Sequence, residues 1–337
     1  MEYHRPIVMT DPARPEGALP LAGGWCWFTQ VEVLSRHAAP RLIAARTLSS
    51  EIIDRLTAPR PAFAGLSMAQ PRIMGILNVT PDSFSDGGRF LGRDAALAQA
   101  RRMAEAADVL DIGGESTRPG AAEVAVDEEI ARTAPVIAAL RDSGVQTPMS
   151  IDTRKAAVAS AALAAGAGII NDVAAMGFDA GMADVAARTG APIILMHAIK
   201  TPATMQDDPH YDDVLLDVFD FLSERVAVAQ AAGIPRAHLM VDPGIGFGKT
   251  LAHNLALIRG LALFHDLGLP ILLGASRKRF IGTLSGVEAA EARMPGSVAV
   301  ALAGVAQGVQ MLRVHDVAET RQALRLWSAI HIEGAGA

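Results

Sequence analysis

The stretch LMVDPGIGFGKTLAHN, residues 239–254, contains an apolar strand, an acidic residue, a glycine-rich turn and the start of a helix. Its Gly-Lys-Thr sequence is compatible with a phosphate-binding P-loop, which requires a further glycine five positions before Gly248. Pro243 occupies that position, and proline has a fixed φ and no N–H to donate. The stretch is therefore interpreted as a buried parallel strand that ends on the carboxylate of Asp242.

The same pattern of a short apolar run followed by a longer alanine-rich segment repeats from residue 71 onward. Short runs of this kind are typical of buried strands, and the longer segments have helical spacing. Strands are predicted at 72–77, 108–112, 147–151, 168–172, 192–197, 238–242, 270–274 and 310–315. Helices are predicted near 94–107, 127–143, 155–165, 180–189, 212–232, 251–267, 293–308 and 316–331.

Eight strand-helix pairs in sequence favour an α/β fold of the (β/α)8 type, a TIM barrel spanning residues 71–333. A doubly wound open sheet is the alternative, but it usually has fewer strands and a GxGxxG turn after the first one. Residues 1–70 are proline-rich and are interpreted as an N-terminal extension of unknown role, with its own small structure or as a partly ordered arm. One short helix is predicted in it, at 39–56.

The composition limits the partners and the compartment. The chain has 337 residues, 50% of them hydrophobic and 20% charged, with a net charge of -6. This mild acidity argues against nucleic-acid binding, which usually needs a basic surface. The single cysteine, Cys26, excludes an intrachain disulfide and fits a reducing cytoplasm. Neither a secretory signal nor an apolar run long enough to cross a membrane is evident, so a cytoplasmic protein is expected.

In a barrel of this type the active site lies at the C-terminal ends of the strands. Most of the predicted strands end in or next to a polar residue. These residues are Asn78, Asp111, Asp152, Asn171, Asp172, His197, Asp242, Ser276, Lys278, Arg313 and His315. An Asp or Asn after a strand can also be the cap of the next helix, and that alternative applies to Asp111, Asp172 and Asp316.

The strand-end residues divide by charge. Asp152, Asn171 and Asp242 offer hydrogen-bond acceptors and one amide at the centre, which suits a flat ring with a row of N–H donors. Arg118 and Arg313, with other basic groups, suit phosphate oxygens. The predicted ligand therefore carries a donor-rich ring at one end and a diphosphate at the other.

Two more basic side chains, His315 and Lys278, add to the cationic group. Asn78 could hold Mg²⁺, which usually binds few protein oxygens and keeps several waters.

Eight motifs in this chain together resemble the dihydropteroate synthase family. They are MGILNVTPDSFSDGG, DIGGESTRPGA, SIDT, IIND, LMH, DPGIGFGK, GASRK and RVHDV, in the order and approximate spacing of that family. The resemblance covers roughly residues 72–330 and implies a pterin-binding TIM barrel. It also implies a transferase that joins 4-aminobenzoate to (7,8-dihydropterin-6-yl)methyl diphosphate, forming 7,8-dihydropteroate and diphosphate in folate biosynthesis.

The resemblance further implies a role for each matching residue. The pterin would be held by Asp152, Asn171, Met196, Asp242 and Lys278, and the diphosphate by Asn78, Arg118, Arg313 and His315. The aminobenzoate pocket, where sulfonamides compete in this family, would be lined by Thr117, Pro119, Phe247 and Ser276. Asp152, Asp242, Lys278, Arg313 and His315 form the predicted catalytic set, and Asn78 binds Mg²⁺, the predicted cofactor.

Two other functions share the fold. A pterin-dependent methyltransferase has a similar acceptor-rich centre but no diphosphate to bind, so the basic residues count against it. A catalytically silent pterin-binding barrel is expected to have lost part of the charged set, and every matching position here is chemically suitable.

The seventh predicted helix of the barrel contains PGSVAVALAGVAQGV and is apolar almost all round. The outer helix of a monomeric barrel usually has a polar face. Burial against a second copy of the chain explains this pattern, and the family resemblance also implies a homodimer. Cover by the N-terminal extension is the alternative.

Overall fold

A computed structural model of the chain describes residues 1–79, 88–116, 121, 123–199, 205 and 208–332, with only the backbone described at 88–94. The N-terminal extension forms strands β1 (Tyr3–Pro6), β2 (Leu19–Pro20), β3 (Trp27–Phe28), β4 (Gln30–Ser35) and β5 (Ala38–Ala44), followed by helix α1 (Ser50–Thr57). The barrel strands are β6 (Arg72–Asn78), β7 (Val109–Gly113), β8 (Met149–Asp152), β9 (Ile169–Asp172), β10 (Ile193–Met196), β11 (Leu239–Asp242), β12 (Leu272–Leu273) and β13 (Met311–Val314).

These eight strands form one parallel sheet in the order β11-β10-β9-β8-β7-β6-β13-β12. Each strand is therefore next to its neighbour in sequence, except where β13 returns to β6. The two ends of the sheet meet at a parallel bridge between Val241 and Ile271, where the Val241 N–H donates to the Pro270 carbonyl at 3.0 Å. The sheet is thus closed, which confirms the predicted (β/α)8 barrel over the open doubly wound sheet.

Nine helices accompany the barrel in the described part of the chain. They are α2 (Gly88–Ala104), α3 (Val126–Asp142), α4 (Ala156–Ala164), α5 (Gly181–Thr189), α6 (Val214–Ala231), α7 (Leu251–Arg259), α8 (Arg279–Ser285), α9 (Met294–Val305) and α10 (Val317–His331). All eight predicted helices are present. None of the described helices is long and apolar enough to cross a membrane.

Two helical features differ from the prediction. The segment predicted at 251–267 is a helix only to Arg259, after which a 3-10 turn runs from Leu261 to Leu267. Gly260 lies at the break and leaves room for Leu215, which an added Cβ would approach to 2.6 Å. Helix α8 was not predicted, because its seven residues are too few to show the helical spacing of apolar side chains.

The predicted helix at 39–56 is wrong over its first half. Residues 38–44 form β5, which pairs with β4 in an antiparallel sheet of order β1-β4-β5, and only Ser50–Thr57 is α-helical. Pro40 favours this outcome because proline suits an edge strand and disrupts a helix interior. Ser49 is the N-cap of helix α1, and its hydroxyl accepts a hydrogen bond from Ile52 N.

The extension is joined to the barrel by buried contacts rather than by a flexible linker. The Tyr3 ring packs edge-on against Phe219 of α6 with centroids 5.3 Å apart. Asp266, which follows α7, receives hydrogen bonds from His4 N at 3.0 Å and from Arg55. Since Leu21, Cys26 and Phe28 also belong to the main hydrophobic cluster around the barrel, the extension stabilises the barrel directly.

The extension also reaches the C-terminal end of α9, where Trp25 Nε1 donates to the Val305 carbonyl at 2.8 Å. Pro295, Ala299 and Ala303, one turn apart along the same helix, remain exposed. Cover by the extension therefore explains the apolar character of one end of α9 and leaves most of its outer face open.

The interior of the barrel is built in layers, because side chains alternate between its two faces along each strand. Its N-terminal layer is a separate apolar cluster formed by the strands and by the segment before β6. Its members are Phe63, Met68, Met74, Val109, Ile169, Ile194, Met240, Leu272 and Met311, all buried. The intervening strand residues join the cluster under the helices. Because the N-terminal end is filled in this way, a ligand can enter only from the other end.

Candidate active site

The residue two positions after each member of the apolar layer lies on the same face of its strand, nearer the C-terminal end. At these positions the chain carries the polar residues Asp111, Asn171, Asp242 and Arg313 together with Ile76, Met196 and Gly274, and β8 contributes Ser150 and Asp152 at the same end. The change from an apolar to a polar layer occurs within one step of the strand repeat. The predicted site residues on β8, β9, β10, β11 and β13 are thus brought together at one end of the barrel.

Arg313 links two of these strands. Its Nε donates to Asp111 Oδ2 at 2.6 Å, and an Nη donates to Asp152 Oδ2 at 2.6 Å. Burial alone would lower the pKa of Arg313, but the two carboxylates outweigh it and the pKa of Arg313 is raised. The guanidinium is therefore a permanent cation at the centre of the polar layer, with its position fixed from two sides.

Asp111 is fully buried, and it is not the cap of the helix that follows β7. Besides Arg313, its carboxylate accepts hydrogen bonds from Ser150 Oγ and, at 3.1 Å, from Asn171 Nδ2. The helix-cap alternative is wrong for this residue. Asp111 acts as the support of Arg313, and Asn171 contacts the same carboxylate.

Asp152 combines a fixed and an open oxygen. Oδ2 is bound by Arg313, whereas the buried Oδ1 has no hydrogen-bond partner among the residues that the structure describes. Burial, opposed by Arg313 and reinforced by Asp111, raises the pKa of Asp152 to about 7. A buried acceptor without a partner is costly, so a ligand that donates a hydrogen bond to Oδ1 would be favoured here.

Asp242 and Lys278 form the second charged group of the layer. Oδ1 of Asp242 accepts from Gly244 N at 2.7 Å, which orients the carboxylate. A Cβ at Gly274 would lie 3.5 Å from Asp242 Oδ2 and 3.8 Å from Arg313 Cβ, so the Asp242 carboxylate and the Arg313 side chain lie close together beside this glycine. Burial raises the pKa of Asp242 and lowers that of Lys278 to about 7, the two opposite charges partly offsetting this effect.

The glycine-rich turn after β11 brings Phe247 to this group. Lys278 Nζ lies 4.3 Å from the centre of the Phe247 ring and also donates to the Ile245 carbonyl. Gly246 has φ +83°, and a Cβ there would lie 2.7 Å from Lys278 Cδ. The turn therefore needs glycine both for its backbone conformation and for the approach of the lysine. No phosphate loop is formed, which agrees with the rejection of that motif.

Ser276 follows β12, His315 follows β13, and the two residues lie side by side. The Ser276 hydroxyl oxygen accepts from His315 N at 3.2 Å and lies 3.0 Å from His315 Nδ1. Next to them, Arg277 binds both carboxylate oxygens of Asp316. Asp316 occupies the N-cap position of α10, as the capping alternative predicted, but its side chain binds Arg277 and makes no cap hydrogen bond.

The remaining predicted residues lie around this centre or outside the described chain. Met196 ends β10 and is buried, and Asn78 ends β6 and is exposed. A Cβ at Gly113 would lie 3.9 Å from Asn78 Oδ1 and 3.7 Å from Asp152 Oδ2, so Asn78 is close to the polar layer. The predicted Thr117, Arg118 and Pro119 lie outside the residues that the structure describes.

The third helix-cap candidate, Asp172, binds neither an arginine nor the end of a helix within the described chain, and its carboxylate accepts hydrogen bonds from the backbone of the following turn. It accepts from Ala174 N at 2.9 Å and Met176 N at 2.6 Å, whereas α5 begins only at Gly181. The carboxylate shapes the turn after β9, and it takes no part in the Arg313 contacts given above.

Comparison with known proteins gives a family for this site. The model of the pterin binding enzyme family matches residues 74–315, which is more than half of the chain. The chain belongs to the pterin-binding enzyme family. It is 46% identical over 265 residues to the dihydropteroate synthase of Escherichia coli K12, covering 78% of this chain and 93% of that protein. It is 48% identical to the dihydropteroate synthase of Neisseria meningitidis serogroup B, covering 79% and 95%.

Solved structures of pterin-binding enzymes agree with these relatives. Xanthomonas albilineans dihydropteroate synthase with 4-aminobenzoic acid superposes with a TM-score of 0.76 at 49% identity, covering 81% of this chain and 98% of that one. The same bacterium's enzyme in complex with 7,8-dihydropteroate superposes with a TM-score of 0.73 at 47% identity, covering 81% of this chain and 99% of that one. The Yersinia pestis enzyme with a sulfonamide drug complex superposes with a TM-score of 0.74 at 46% identity, covering 79% of this chain and 96% of that one. The predicted resemblance to dihydropteroate synthases and the predicted transferase function are confirmed.

Several residue roles in this pterin-binding barrel were not predicted. The support that Asp111 gives to Arg313 could have been inferred from its polar character at an inward strand position. Glu115, Glu129 and Lys155 form a buried ion network after β7 and β8 that no local pattern indicated. Lys249 occurs in the rejected phosphate-loop motif and in the motif DPGIGFGK but was given no role, and it is buried against His197.

Proposed function

We propose that the polar layer at the C-terminal end of the barrel binds the pterin, the diphosphate and 4-aminobenzoate in three adjoining places, with the residue roles predicted above. The observation that carries this proposal is Asp152 Oδ1, a buried carboxylate oxygen with no partner among the described residues. A pterin presents a flat edge of N–H donors, and a carboxylate can accept two such bonds in parallel.

Asp152, Asn171 and Asp242 would bind the donor edge of the pterin ring, with Met196 packing against its face. Lys278, whose pKa lies at about 7, can serve as a donor to a ring acceptor in either protonation state. This assignment accounts for the buried carboxylates, because ligand N–H groups replace the water that burial removes.

Arg313 and His315 would bind the diphosphate, with Arg118 as a further cation. Arg313 reaches the centre of the layer while Asp111 and Asp152 hold its Nε and one Nη, so the remaining guanidinium donors can meet a phosphate oxygen.

Asn78 would bind Mg²⁺ together with diphosphate oxygens. No group of three or more His, Cys, Asp or Glu residues that could hold a metal occurs within the described ranges. A single exposed amide oxygen therefore fits an ion that keeps most of its waters and arrives with the substrate. When bound, Mg²⁺ supplies positive charge to the leaving diphosphate.

Phe247 and Ser276 would line the 4-aminobenzoate pocket together with Thr117 and Pro119. Phe247 supplies an aromatic face that Lys278 holds at 4.3 Å, and the Ser276 hydroxyl can donate to a carboxylate. The two described residues flank Lys278, so the aminobenzoate would lie next to the pterin.

The charges of the layer suit a reaction in which the leaving group departs first. As the pterin CH₂–O bond breaks, its electron pair goes to the diphosphate oxygen and positive charge spreads into the pterin ring. Arg313 and His315 stabilise the departing anion, while Asp152 and Asp242 favour the ring cation. The amine of 4-aminobenzoate then forms the new C–N bond and loses a proton to solvent. This route requires no enzymic nucleophile, and Cys26 lies in the extension, buried, with its pKa raised to about 12 by burial.

The direct test incubates the purified protein with the pterin diphosphate, 4-aminobenzoate and Mg²⁺, and detects dihydropteroate by mass. Omitting either substrate gives the blank, and chelation of Mg²⁺ is expected to lower the rate. Formation of diphosphate without dihydropteroate would contradict the proposed transfer.

We also propose that the chain works as a homodimer in the cytoplasm. Leu326 and Ile330 of α10 are 65% and 61% exposed, and α10 packs beside α9, whose outer residues Ala299 and Ala303 are also exposed and apolar. Two helices with uncovered apolar faces suit a partner with the same surface. Sedimentation of the double variant Leu326→Glu, Ile330→Glu is expected to give monomers, with Leu42→Glu in the extension as the control. A variant that sediments like the unchanged chain would remove α10 from the interface.

A further inference from the structure

Lys249 is a buried basic residue to which the proposed function gives no role. It is 4% exposed and lies at the end of the glycine-rich turn that carries Phe247. Its Nζ lies 3.0 Å from the Phe247 carbonyl oxygen, 2.9 Å from His197 Nδ1 and 3.5 Å from the His197 carbonyl oxygen. The lysine thus joins the turn after β11 to the end of β10.

None of these three partners is a carboxylate, which is unusual for a buried lysine. Burial, reinforced by the charge of Lys278 and opposed by Asp242, lowers the pKa of Lys249 well below its ordinary value. Burial and Lys249 itself lower the pKa of His197 as well. The Lys249 amine and the His197 imidazole are joined by one hydrogen-bond contact, and no carboxylate takes part in it.

The surroundings of Lys249 exclude water and leave the lysine little freedom. The His197 ring packs edge-on against Phe221 with centroids 4.8 Å apart, and Tyr211 lies on another side at 5.9 Å. The Tyr211 hydroxyl donates to the Gly248 carbonyl at 2.8 Å. A Cβ at Gly244 would lie 1.9 Å from the His197 carbonyl oxygen, so the turn rests directly on the end of β10.

The turn is consequently held between two lysines. Lys278 lies against the Phe247 ring on the side of the site and donates to the Ile245 carbonyl, whereas Lys249 holds the Phe247 carbonyl from behind. Since a peptide plane is rigid, fixing the carbonyl of Phe247 restricts the direction in which its side chain leaves the backbone.

We propose that Lys249 is a positioning residue for the second substrate, a flat aromatic amine bearing a carboxylate. By holding the Phe247 carbonyl against the end of β10, it sets the distance between the Phe247 ring and Lys278, and so the width of the pocket for that ring. The inference rests on the proposed role of Phe247 in the aminobenzoate pocket.

The test is Lys249→Met, which keeps the length of the side chain and removes its donor. We expect the KM for 4-aminobenzoate to rise about tenfold, as for loss of a buried hydrogen bond at a pocket wall. The dissociation constant of the pterin diphosphate is expected to rise less than this KM, because Asp152 and Asn171 lie on other strands and only Asp242 and Lys278 of the pterin set adjoin the turn. Equal changes for both substrates, or no change for either, would overturn the proposal.

Two further variants separate positioning from general damage. Tyr211→Phe removes one hydrogen bond from the same turn without touching the Phe247 carbonyl, and we expect it to leave the KM for 4-aminobenzoate within about twofold. Lys249→Gln retains an N–H donor and is expected to recover part of the lost affinity. Lys249→Gln also serves as the test variant if Lys249→Met does not fold. The proposal is contradicted if Lys249→Gln has as high a KM for 4-aminobenzoate as Lys249→Met. It is also contradicted if Tyr211→Phe raises that KM as much as Lys249→Met does.

Failure of this inference and failure of the proposed pocket give different results. If Phe247→Ala leaves the KM for 4-aminobenzoate unchanged in an active protein, the pocket assignment is wrong and the Lys249 proposal falls with it. If Phe247→Ala raises that KM but Lys249→Met does not, the pocket stands and only the positioning role is lost.

Discussion

The two ends of the barrel interior use the same strands in opposite ways. At the N-terminal end, Phe63 and Met68 complete an apolar layer that is closed to solvent. Further along the strands, Asp111, Asp152 and Arg313 form a network of buried charges. The strand repeat places both layers on the same face, so side-chain chemistry alone separates the structural end from the reactive end. Substitutions at the two ends should therefore affect different measurements.

The largest effect is expected at the apolar end. Phe63→Ala should lower the free energy of unfolding by about 3–5 kcal/mol, because it leaves a cavity beneath the barrel. The KM values for both substrates should not change at temperatures where the protein is folded. Urea denaturation measures the loss. Leu42→Ala, at a position 55% exposed on β5, is the matched control and should cost less than about 0.5 kcal/mol. A Phe63 variant with normal stability and altered KM values would break the division between the two ends.

Arg313 should give the opposite result. Arg313→Lys keeps a positive charge but cannot hold Asp111 and Asp152 at once, because both contacts depend on the planar guanidinium. We expect kcat/KM to fall by roughly 10²–10³, as when a transition-state donor is lost. Steady-state kinetics measure this, and thermal unfolding shows whether the variant is folded. Full activity in the lysine variant would mean that charge alone matters at this position.

The sequence predicted the barrel well because its signal is repeated. Eight short apolar runs alternate with eight segments of helical spacing, so an error at one boundary does not change the predicted fold. The extension lacked this redundancy: residues 39–56 have one apolar pattern, and Pro40 was the only local sign that β5 and not a helix begins there. β5 pairs with β4, the strand just before it, and β4 pairs in turn with the more distant β1, so this strand depends on a three-stranded sheet that residues 39–56 alone do not reveal.

The site was predictable where the function of a residue follows from its place at a strand end, as for Asp152, Asp242 and Arg313. Supporting residues were less predictable. Asp111 and Asp316 match the sequence pattern of helix caps, and only the positions of Arg313 and Arg277 in space show that they bind arginine. Lys249 contacts His197 across 52 residues of sequence, which no local pattern can indicate.

Asp111 offers a sharper test of how the polar end is organised. Asp111→Asn removes one of the two carboxylates that hold Arg313, and we expect kcat to fall about ten- to a hundredfold, as for other supporting partners of a site residue. The dissociation constant of the pterin should change little. Asp172→Asn is the matched control, since Asp172 is equally buried but binds the Ala174 and Met176 backbone. It should lower stability without a comparable loss of kcat. Equal kinetic losses in the two variants would show that any buried carboxylate at this end has the same importance.

The smallest effect concerns pH. With a pKa of about 7, the ionised fraction of Asp152 falls roughly tenfold between about pH 8 and about pH 6. Only the ionised carboxylate accepts hydrogen bonds at both oxygens. The dissociation constant of a hydroxymethyl dihydropterin without diphosphate should therefore rise about tenfold as the pH falls from about 8 to about 6. Titration calorimetry measures it.

The same titration has a consequence for stability, whose sign is opposite to that of an ordinary surface carboxylate. The pKa of Asp152 is higher in the folded chain than in the unfolded one, so the folded state binds the proton more tightly. The contribution of this group to stability is therefore present at low pH and is lost as pH rises from about 4 to about 7. Asp152→Asn should flatten the pH dependence of both pterin binding and stability. Lys278→Met removes the other group with a pKa of about 7, and the dependence should persist in that variant. If it vanishes there and persists in Asp152→Asn, the titrating group is Lys278, and the open oxygen of Asp152 does not govern recognition of the ring.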